Sequence, residues 1–331
     1  MVSKRFNICL VVPYFGEFPN YFQLFLKSCE KNYDIDWLII TDNDTNYLYP
    51  KNVKKIKMEF NQFKKKIQEK FDFKISLPTP KKLCDYKPAY GYILEEYLEN
   101  YDFWGHCDID VIYGDLRKFI TDKMLIENDK IFCLGHLSLY RNNEDINRIF
   151  MKSLNGAERY KDVFSISKNC SFDEGFDKSI NEIIIQEDIP YYGESSVADI
   201  GPFNYSFCLS TLKPEYKRWF RNDEKYSIFK WKNGLIQQIY INKKELVTKE
   251  YSYIHLQKRK MKNNVTNLNS NLFYIVPNKF IEFKEVEENK YINLYKLKCL
   301  IDYKMIYKKI NNIKWIIISL CSKVKKIIEV R

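Results

Sequence analysis

Apolar segments alternate with amphipathic segments through the first 155 or so residues, and this alternation restricts the fold more than any other feature. Residues 6–13 and 35–41 are continuous apolar runs, which predict strands buried on both faces. A further strand is predicted near residues 53–58, and residues 130–140 predict a strand pair or a bent strand. Helical spacing of apolar residues predicts helices at about 20–31, 60–71, 85–99 and 142–154. The order of elements predicts an α/β fold with a largely parallel or mixed sheet flanked by helices.

Two carboxylates close the apolar run at 103–107. Asp108 and Asp110 are separated by one residue, and in an extended segment such positions point to the same side. Burying them is costly unless a cation compensates their charge. Mg²⁺ and Mn²⁺ prefer oxygen ligands and often bridge carboxylates to a diphosphate. The pair therefore predicts a metal and diphosphate site, and a solvent-exposed strand end is the alternative.

Other polar residues stand where the same site would need them. Asp42 follows the predicted strand 35–41, and ligands of α/β sheets bind at the carboxyl ends of strands. Asp85 is placed to cap helix 85–99, and Lys87 lies near its positive end, where anions bind favourably. An ordinary cap with a solvated lysine explains the same pattern.

A histidine and a cationic cluster occur late in the chain. His255 lies near the end of the short strand candidate 251–256, and its imidazole could be a third metal ligand. The following basic residues, Lys258 to Lys260, could hold phosphate oxygens. A surface histidine beside a solvated basic turn is the alternative.

Three acidic residues lie in loop-like sequence between residues 155 and 250. Asp199, Asp173 and Glu174 could orient an acceptor hydroxyl or act as a catalytic base. Capping or simple exposure is the alternative for each of them. In the same region, Asn233-Gly234 predicts a hairpin turn between two short strands.

Composition indicates the cellular compartment and the domain organisation of the protein. The chain has 331 residues, a net charge of +11 and nine dispersed cysteines, which favour a reducing cytoplasm. No signal peptide or membrane-spanning run is recognised. Residues 303–331 mix lysines with Ile, Trp and Leu, which predicts a basic amphipathic tail on an anionic membrane surface. The predicted organisation is a domain at 1–260, an irregular or helical connection at 261–302, and this tail.

Several common motifs are missing from the sequence. It has no GxGxxG after the first strand and no GxxxxGK[ST] loop, which argues against dinucleotide oxidoreductases and P-loop NTPases. It also has no GxSxG elbow and no HExxH pair, which argues against α/β-hydrolases and zinc proteases of those types.

Taken together, these segments resemble nucleotide-sugar glycosyltransferases of the GT-A fold. The matching stretches are residues 13–16, 37–42, 85–88, 104–110 and 255–259, and the likeness covers about residues 5–260. A bacterial branch found among capsule and lipopolysaccharide synthesis proteins is the most similar. The resemblance implies a GT-A-like, Rossmann-related mixed sheet and the Mn²⁺- or Mg²⁺-dependent transfer of a hexose from a nucleoside diphosphate sugar, such as a UDP-sugar.

The resemblance also implies individual roles. Asp110 would coordinate the metal directly, whereas Asp108 would lie nearer the ribose and sugar. His255 would complete the metal coordination, which favours a retaining mechanism. Lys258 and Lys260 would lie near the diphosphate, and Asp85 and Lys87 would contact the donor, with Lys87 replacing a more usual arginine.

The implied partners are the sugar nucleotide and a glycan or lipid-linked acceptor, with the enzyme peripheral at the inner face of the cell membrane. No nucleic-acid partner is expected. A non-catalytic basic protein bound to membrane or nucleic acid is the alternative. A sugar nucleotidyltransferase is another, although the glycine-rich first loop expected there is missing.

Overall fold

The computed structural model describes residues 5–201, 207–222, 226–243, 245–257, 259–267 and 269–300. Its strands are β1 (Ile8–Pro13), β2 (Ile35–Thr41), β3 (Val53–Lys57), β4 (Phe103–Cys107), β5 (Val111–Tyr113), β6 (Lys130–Leu134), β7 (Leu137–Arg141), β8 (Tyr191–Tyr192), β9 (Val197–Ile200), β10 (Leu209–Lys213), β11 (Arg218–Asn222), β12 (Ile228–Lys232), β13 (Leu235–Asn242), β14 (Glu245–Tyr251), β15 (Tyr253–His255), β16 (Lys262–Asn263), β17 (Leu272–Val276) and β18 (Lys279–Ile281).

The α-helices have 4 to 13 residues. They are α1 (Phe22–Glu30), α2 (Phe60–Glu69), α3 (Tyr90–Ile93), α4 (Asp122–Glu127), α5 (Glu144–Asn147), α6 (Arg159–Ser165), α7 (Ile180–Gln186) and α8 (Glu288–Leu300). Turns of 3₁₀ helix occur at Pro80–Ala89, Glu95–Tyr97, Leu116–Lys118, Ile149–Met151, Pro214–Tyr216 and Glu285–Glu287. In the ranges that the structure describes, no helix is long and apolar enough to cross a membrane.

The central sheet has the strand order β3-β2-β1-β4-β7-β6-β8. Strands β1 to β4 run parallel, whereas β7 is antiparallel to both β4 and β6. A second sheet, of order β11-β10-β9-β15-β5, and a third, of order β14-β13-β12-β17-β18-β16, complete the described part. The predicted α/β architecture, with a mixed sheet flanked by helices, is confirmed.

The apolar runs form strands because both faces of the central sheet are covered. In β1, Ile8, Leu10 and Val12 join the core on the side of α1, whereas Cys9 and Val11 join the core on the opposite side. On that opposite side, the Tyr86 ring of the 3₁₀ segment stacks on Phe164 of α6 with centroids 4.2 Å apart. A strand buried on both faces shows no alternation of apolar and polar residues.

Three local predictions can be compared directly with the structure. Residues 130–140 form the antiparallel pair β6 and β7, as expected. The hairpin β12–β13 turns at Asn233 and Gly234, whose φ angles of 51° and 85° fit a tight turn that favours Asn-Gly. Residues 142–154 form only the short turns α5 and Ile149–Met151.

The helix predicted at 85–99 is wrong in extent and type. The chain instead forms the 3₁₀ segment Pro80–Ala89, then α3, then a second 3₁₀ turn. Pro88 lies inside this stretch, where it offers no amide proton and hinders regular α-helical geometry. Asp85 therefore lies within the 3₁₀ segment, whose N-cap residue is Thr79.

The region after residue 260 contains more strand than the sequence indicated. Residues 261–302 were expected to be irregular or helical, yet β16, β17 and β18 extend the third sheet before α8 begins. Helix α8 packs on this sheet through Ile292 and Tyr295. The tail predicted at 303–331 lies outside the described residues.

A buried lysine in β6 gives a prediction about pH. Lys130 has no exposed surface; its ammonium donates to the Phe132 carbonyl and lies 5.0 Å from the centre of the Tyr140 ring. Burial lowers the pKa of Lys130 to about 8. The unfolded chain therefore binds more protons between pH 8 and about 10, and the Lys130 contribution makes stability rise with pH in that window.

Lys130→Met should consequently stabilise the protein at pH 7, by roughly 1–3 kcal/mol, and this advantage should shrink as the pH rises from 8 to 10. Thermal unfolding of both proteins at several pH values measures it. The difference between them is the relevant quantity, since buried tyrosines titrate in both. A difference that stays constant with pH would contradict the assignment.

Candidate metal and nucleotide site

The Asp108–Asp110 segment connects two sheets. Strand β4 of the central sheet ends at Cys107, and β5 of the second sheet begins at Val111. The segment between them is a bend rather than the extended strand that the spacing suggested. The Asp108 amide donates to the His136 carbonyl at 3.3 Å, and the Asp110 carbonyl accepts from the Leu256 amide at 2.8 Å. These contacts hold both carboxylates at the junction of the sheets.

Strand pairing brings His255 to this junction. Strand β15 pairs with β5 so that His255 faces Val111, next to Asp110. Its Nε2 atom lies 3.5 Å from Asp110 Oδ1 and 4.0 Å from Asp108 Oδ2. One ligand atom from each of the three residues lies within 4.8 Å of the others. The structure thus brings together the three residues predicted as metal ligands.

These three side chains fit a divalent cation. Ligand atoms around Mg²⁺ or Mn²⁺ lie at about 2.1 Å from the ion, hence roughly 3 Å from one another, which is close to the spacing seen here. Two carboxylate oxygens and one imidazole nitrogen form a donor set suited to Mn²⁺ as well as Mg²⁺. Asp110 is mostly buried whereas Asp108 is 36% exposed, so the group keeps an open side.

His255 and the neighbouring carboxylates shift one another's pKa values. Burial alone lowers the pKa of the imidazole, but hydrogen bonds to Asp110 and Asp199 outweigh it and raise the pKa to about 10. Burial likewise acts to raise the pKa of Asp199, but the hydrogen bond from His255 helps to hold that pKa below its usual value. A cation that binds to Nε2 must replace a proton there, so metal binding and proton release are linked.

Lys87 lies on the other side of Asp108. Its ammonium donates to Asp108 Oδ1 at 2.7 Å and to the Gly135 carbonyl at 2.8 Å, and it lies 3.3 Å from Asp173 Oδ2. Burial acts to lower the pKa of Lys87, but the two carboxylates raise it well above the usual value. Because Lys87 engages Oδ1, the second oxygen of Asp108 is the one turned toward His255.

Asp173 and Glu174 form a second acidic group beside Lys87. Burial raises the pKa of Asp173 to about 7, although Lys87 opposes the increase. Burial also raises the pKa of Glu174. Gly135 permits their approach, since a Cβ atom at that position would come within 2.7 Å of Asp173 Oδ2. Both carboxyls lie close enough to the metal-ligand group for the charge of Asp108 to raise their pKa values as well.

Asp85 occupies a supporting position. Its carboxylate has no exposed surface, accepts from the Lys82 ammonium at 2.7 Å, and accepts from the amides of Cys170 and Phe172. Lys82 also donates to the Lys168 carbonyl at 2.5 Å. The buried pair therefore connects the 3₁₀ segment to the loop that carries Asp173. Asp85 was predicted to contact the sugar nucleotide, but its carboxylate is occupied by these contacts within the protein.

The other residues predicted to contact the sugar nucleotide are Asp42, Lys258 and Lys260. Asp42 Oδ1 accepts from the Gly16 amide at 2.7 Å, so it braces the turn that follows β1. Lys260 is exposed and lines the cavity beside the metal-ligand group. Lys258 lies outside the described residues.

That cavity has a volume of about 950 Å³. Asp108 and Asp110 line it together with Arg259 of the predicted cationic cluster and with residues that were not predicted, namely Tyr14, Phe15, Tyr21, Lys81 and Tyr90. Arg259 donates to the Gly201 carbonyl at 2.5 Å and to Asn278 Oδ1 at 3.0 Å, so its position is fixed. The position of Tyr14 and Phe15 directly after β1 was a usable signal, since strand ends form ligand sites.

The other two histidines are buried. His136 stacks on His255 with ring centroids 4.0 Å apart, and its Nδ1 is 2.9 Å from the Tyr253 hydroxyl. His106 lies inside β4 with no exposed surface. Burial holds the pKa of each well below the usual value. Both are therefore buried core residues.

Comparison with known proteins gives distant likenesses among solved structures. One is the galactosyltransferase LgtC in complex with donor and acceptor sugar analogues, with a TM-score of 0.34 and 14% identity, covering 60% of this chain and 77% of that chain. Another is an active-site mutant of LgtC, with a TM-score of 0.34 and 15% identity, covering 60% of this chain and 76% of that one. No curated protein matches the sequence.

A family model matches far more of the chain. The match runs over residues 10–284, and the model is that of DUF6625, described as a family of unknown function. It includes every described residue of the candidate site. The chain therefore belongs to the DUF6625 family.

Proposed function

We propose that this protein is a metal-dependent glycosyltransferase that uses a nucleoside diphosphate sugar, with a UDP-sugar as the first candidate donor. The observation that carries the proposal is the convergence of Asp108, Asp110 and His255, of which Asp108 and Asp110 line a cavity of about 950 Å³. A cavity of this size can enclose most of a ligand as large as a sugar nucleotide. Its lining combines oxygen ligands for a cation with aromatic and cationic side chains, which suit a base and a diphosphate.

The residues supply what the departure of a diphosphate requires. When bound to Asp108, Asp110 and His255, a divalent cation would supply positive charge next to the leaving diphosphate. Arg259 and Lys260 line the same cavity and add cationic character near it. Such fixed charge favours the transition state most, because negative charge grows on the leaving group as the sugar bond breaks.

The acceptor side of the reaction is assigned to Asp173 and Glu174. A carboxyl whose pKa is raised to about 7 by burial can take a proton from an acceptor hydroxyl near neutral pH. Lys87 holds Asp173 and Asp108 together, so donor and acceptor groups share one cation. The proposal has three further parts. The reaction retains the anomeric configuration, and the acceptor is a glycan or a lipid-linked molecule in surface polysaccharide synthesis. Residues 303–331 attach the protein to the inner face of the membrane.

The proposal predicts a metal-dependent stabilisation by ligand. Mn²⁺ together with UDP or a UDP-sugar should raise the melting temperature, because a ligand that binds only the folded state stabilises it by mass action. Asp110→Asn should abolish the shift, since it removes a charged oxygen ligand. Asp177→Asn, a change at an exposed aspartate in a neighbouring loop, should retain it. Differential scanning fluorimetry with UDP-, GDP- and CMP-sugars provides the measurement.

The alternatives make different predictions in the same assay. A shift that is equal in the Asp110→Asn variant would contradict the metal site. No shift with any nucleotide and metal, accompanied by tight binding to single-stranded nucleic acid or anionic vesicles, would favour a non-catalytic basic protein. Formation of a sugar nucleotide from a sugar phosphate and a nucleoside triphosphate would identify a nucleotidyltransferase.

A further inference from the structure

We propose that Asp199 is a positioning residue that acts through His255: it accepts the Nδ1 proton and so presents the Nε2 lone pair to the cation. This inference rests on the proposed metal site and assigns Asp199 a role other than that of catalytic base. A histidine ligand usually donates its second ring N–H to a carboxylate or carbonyl, which fixes the tautomer and the ring orientation.

The backbone register places the two residues side by side. Strands β9 and β15 run parallel, with Asp199 directly opposite His255, while the other edge of β15 pairs with β5 next to Asp110. The His255 ring thus lies between two acidic positions. Its Nδ1 is 2.7 Å from Asp199 Oδ1, and its Nε2 is 3.5 Å from Asp110 Oδ1.

The surroundings of Asp199 favour support over catalysis. Only 1% of the residue is exposed, and the same Oδ1 atom also accepts from Gln257 Nε2 at 2.6 Å. In the described part of the chain, Asp108 and Asp110 line the cavity, His255 lies behind them, and Asp199 lies one contact further away, on the other nitrogen of the imidazole. A carboxylate in that position reaches a bound molecule only through His255.

A rival arrangement uses Asp199 as a ligand. Nitrogen atoms of His136 and His255 and an oxygen of Asp199 also lie within 4.8 Å of one another. In that arrangement the cation would need Nδ1 of His255, which is already hydrogen-bonded to Asp199, and all three residues are buried, so no side is open to a ligand. The geometry therefore favours the Nε2 side, where Asp108 and Asp110 lie.

Mn²⁺ affinity of the full-length protein, measured by calorimetry and by the EPR signal of free Mn²⁺, tests this inference. Asp199→Asn should weaken binding about 10–100-fold, as loss of such outer partners typically does. An amide can donate to Nδ1 instead of accepting from it, which stabilises the tautomer that cannot bind metal through Nε2. Gln257→Ala, which removes the other donor to Asp199, should change the affinity less than threefold.

A spectroscopic readout separates positioning from a general loss of structure. The chain contains only three histidines, so side-chain ¹H–¹⁵N spectra of histidine-labelled protein can be assigned. With saturating diamagnetic Mg²⁺, wild-type His255 should be the Nδ1–H tautomer, and Asp199→Asn should shift it toward Nε2–H. His136→Asn keeps an acceptor or donor for Tyr253 and should leave Mn²⁺ affinity within threefold.

The outcomes separate this inference from the proposed function. Wild-type protein that binds neither Mn²⁺ nor Mg²⁺ would refute both. Wild-type binding that Asp110→Asn abolishes but Asp199→Asn leaves within threefold would overturn only the role of Asp199. If His136→Asn loses as much binding as Asp110→Asn, the ligand set of His136, Asp199 and His255 would be supported. The positioning role of Asp199 would then be overturned.

Discussion

Replacing Asp85 with alanine is expected to destabilise the protein by about 3–5 kcal/mol, because it leaves the Lys82 ammonium buried without its partner. Neither side chain has more than 1% exposure, so water cannot replace the lost contact. The amides of Cys170 and Phe172 also lose their acceptor. A loss of this size corresponds to a fall in melting temperature of roughly 10 °C.

Local consequences should accompany the loss of stability. Asp85 holds the loop that carries Asp173 and Glu174 through the amides of Cys170 and Phe172, so this loop should also become less ordered in the variant. Hydrogen exchange should show faster exchange at residues 168–174, while exchange in the hairpin β12–β13 should stay slow at temperatures below the transition.

A double-mutant cycle gives the sharpest measurement. Asp85→Ala, Lys82→Met and the combined variant should show a favourable coupling of at least about 1 kcal/mol, since the combined variant no longer buries an unpaired charge. Asp72→Ala, at an exposed aspartate, serves as the control and should change stability by less than about 0.5 kcal/mol. A loss below about 1 kcal/mol in Asp85→Ala would show that the pair does not anchor the loop.

Lys87→Met is expected to lower the rate of metal-dependent donor cleavage roughly 10²–10³-fold, the range seen when one preorganised electrostatic group is removed. The Lys87 ammonium contacts Asp108 and lies 3.3 Å from Asp173, so its removal leaves two neighbouring carboxylates without their shared cation. Burial already raises the pKa of Asp173 to about 7, and loss of Lys87 should raise it further. Asp173 would then be protonated near neutral pH and could not act as a base.

The measurement compares initial rates of UDP-sugar cleavage at several pH values. The remaining activity of Lys87→Met should increase as the pH rises above 7, because a higher pH ionises Asp173 again. Lys74→Met, a change at an exposed lysine, is the matched control and should retain wild-type activity. An activity within threefold of wild type in Lys87→Met would remove Lys87 from the site.

The sequence was sufficient to locate most strands of the central sheet, although not their order. Strands β1 and β2 are continuous apolar runs because helices cover both faces, and that pattern is visible without coordinates. The Asn233-Gly234 turn could also be predicted from the sequence, since few residue pairs adopt two successive positive φ angles. The prediction of a helix at 85–99 was wrong because its apolar stripe suggested an α-helix, whereas Pro88 lies inside the segment and disfavours regular α-helical geometry.

Much of the candidate site was also recognisable by chemistry. Asp108 and Asp110 stood out because two charges close an apolar run, and His255 stood out because it ends a short strand before a basic cluster. The spacing of residues in the sequence did not reveal the role of each residue within the site. Asp85 and Asp199 have the residue type of ligands or bases, but their partners in the structure are Lys82 and backbone amides for one and His255 for the other.

The sequence by itself therefore determined the α/β class, the strand ends at which polar groups gather, and the acidic residues suited to hold a cation, from the cost of burying unpaired charge. Only the tertiary structure decided which of these groups meet. Residues 108, 199 and 255 are far apart in the chain, and it is the pairing of β15 with both β5 and β9 that brings them together. Strand register depends on long-range packing, which periodicity within single segments does not encode.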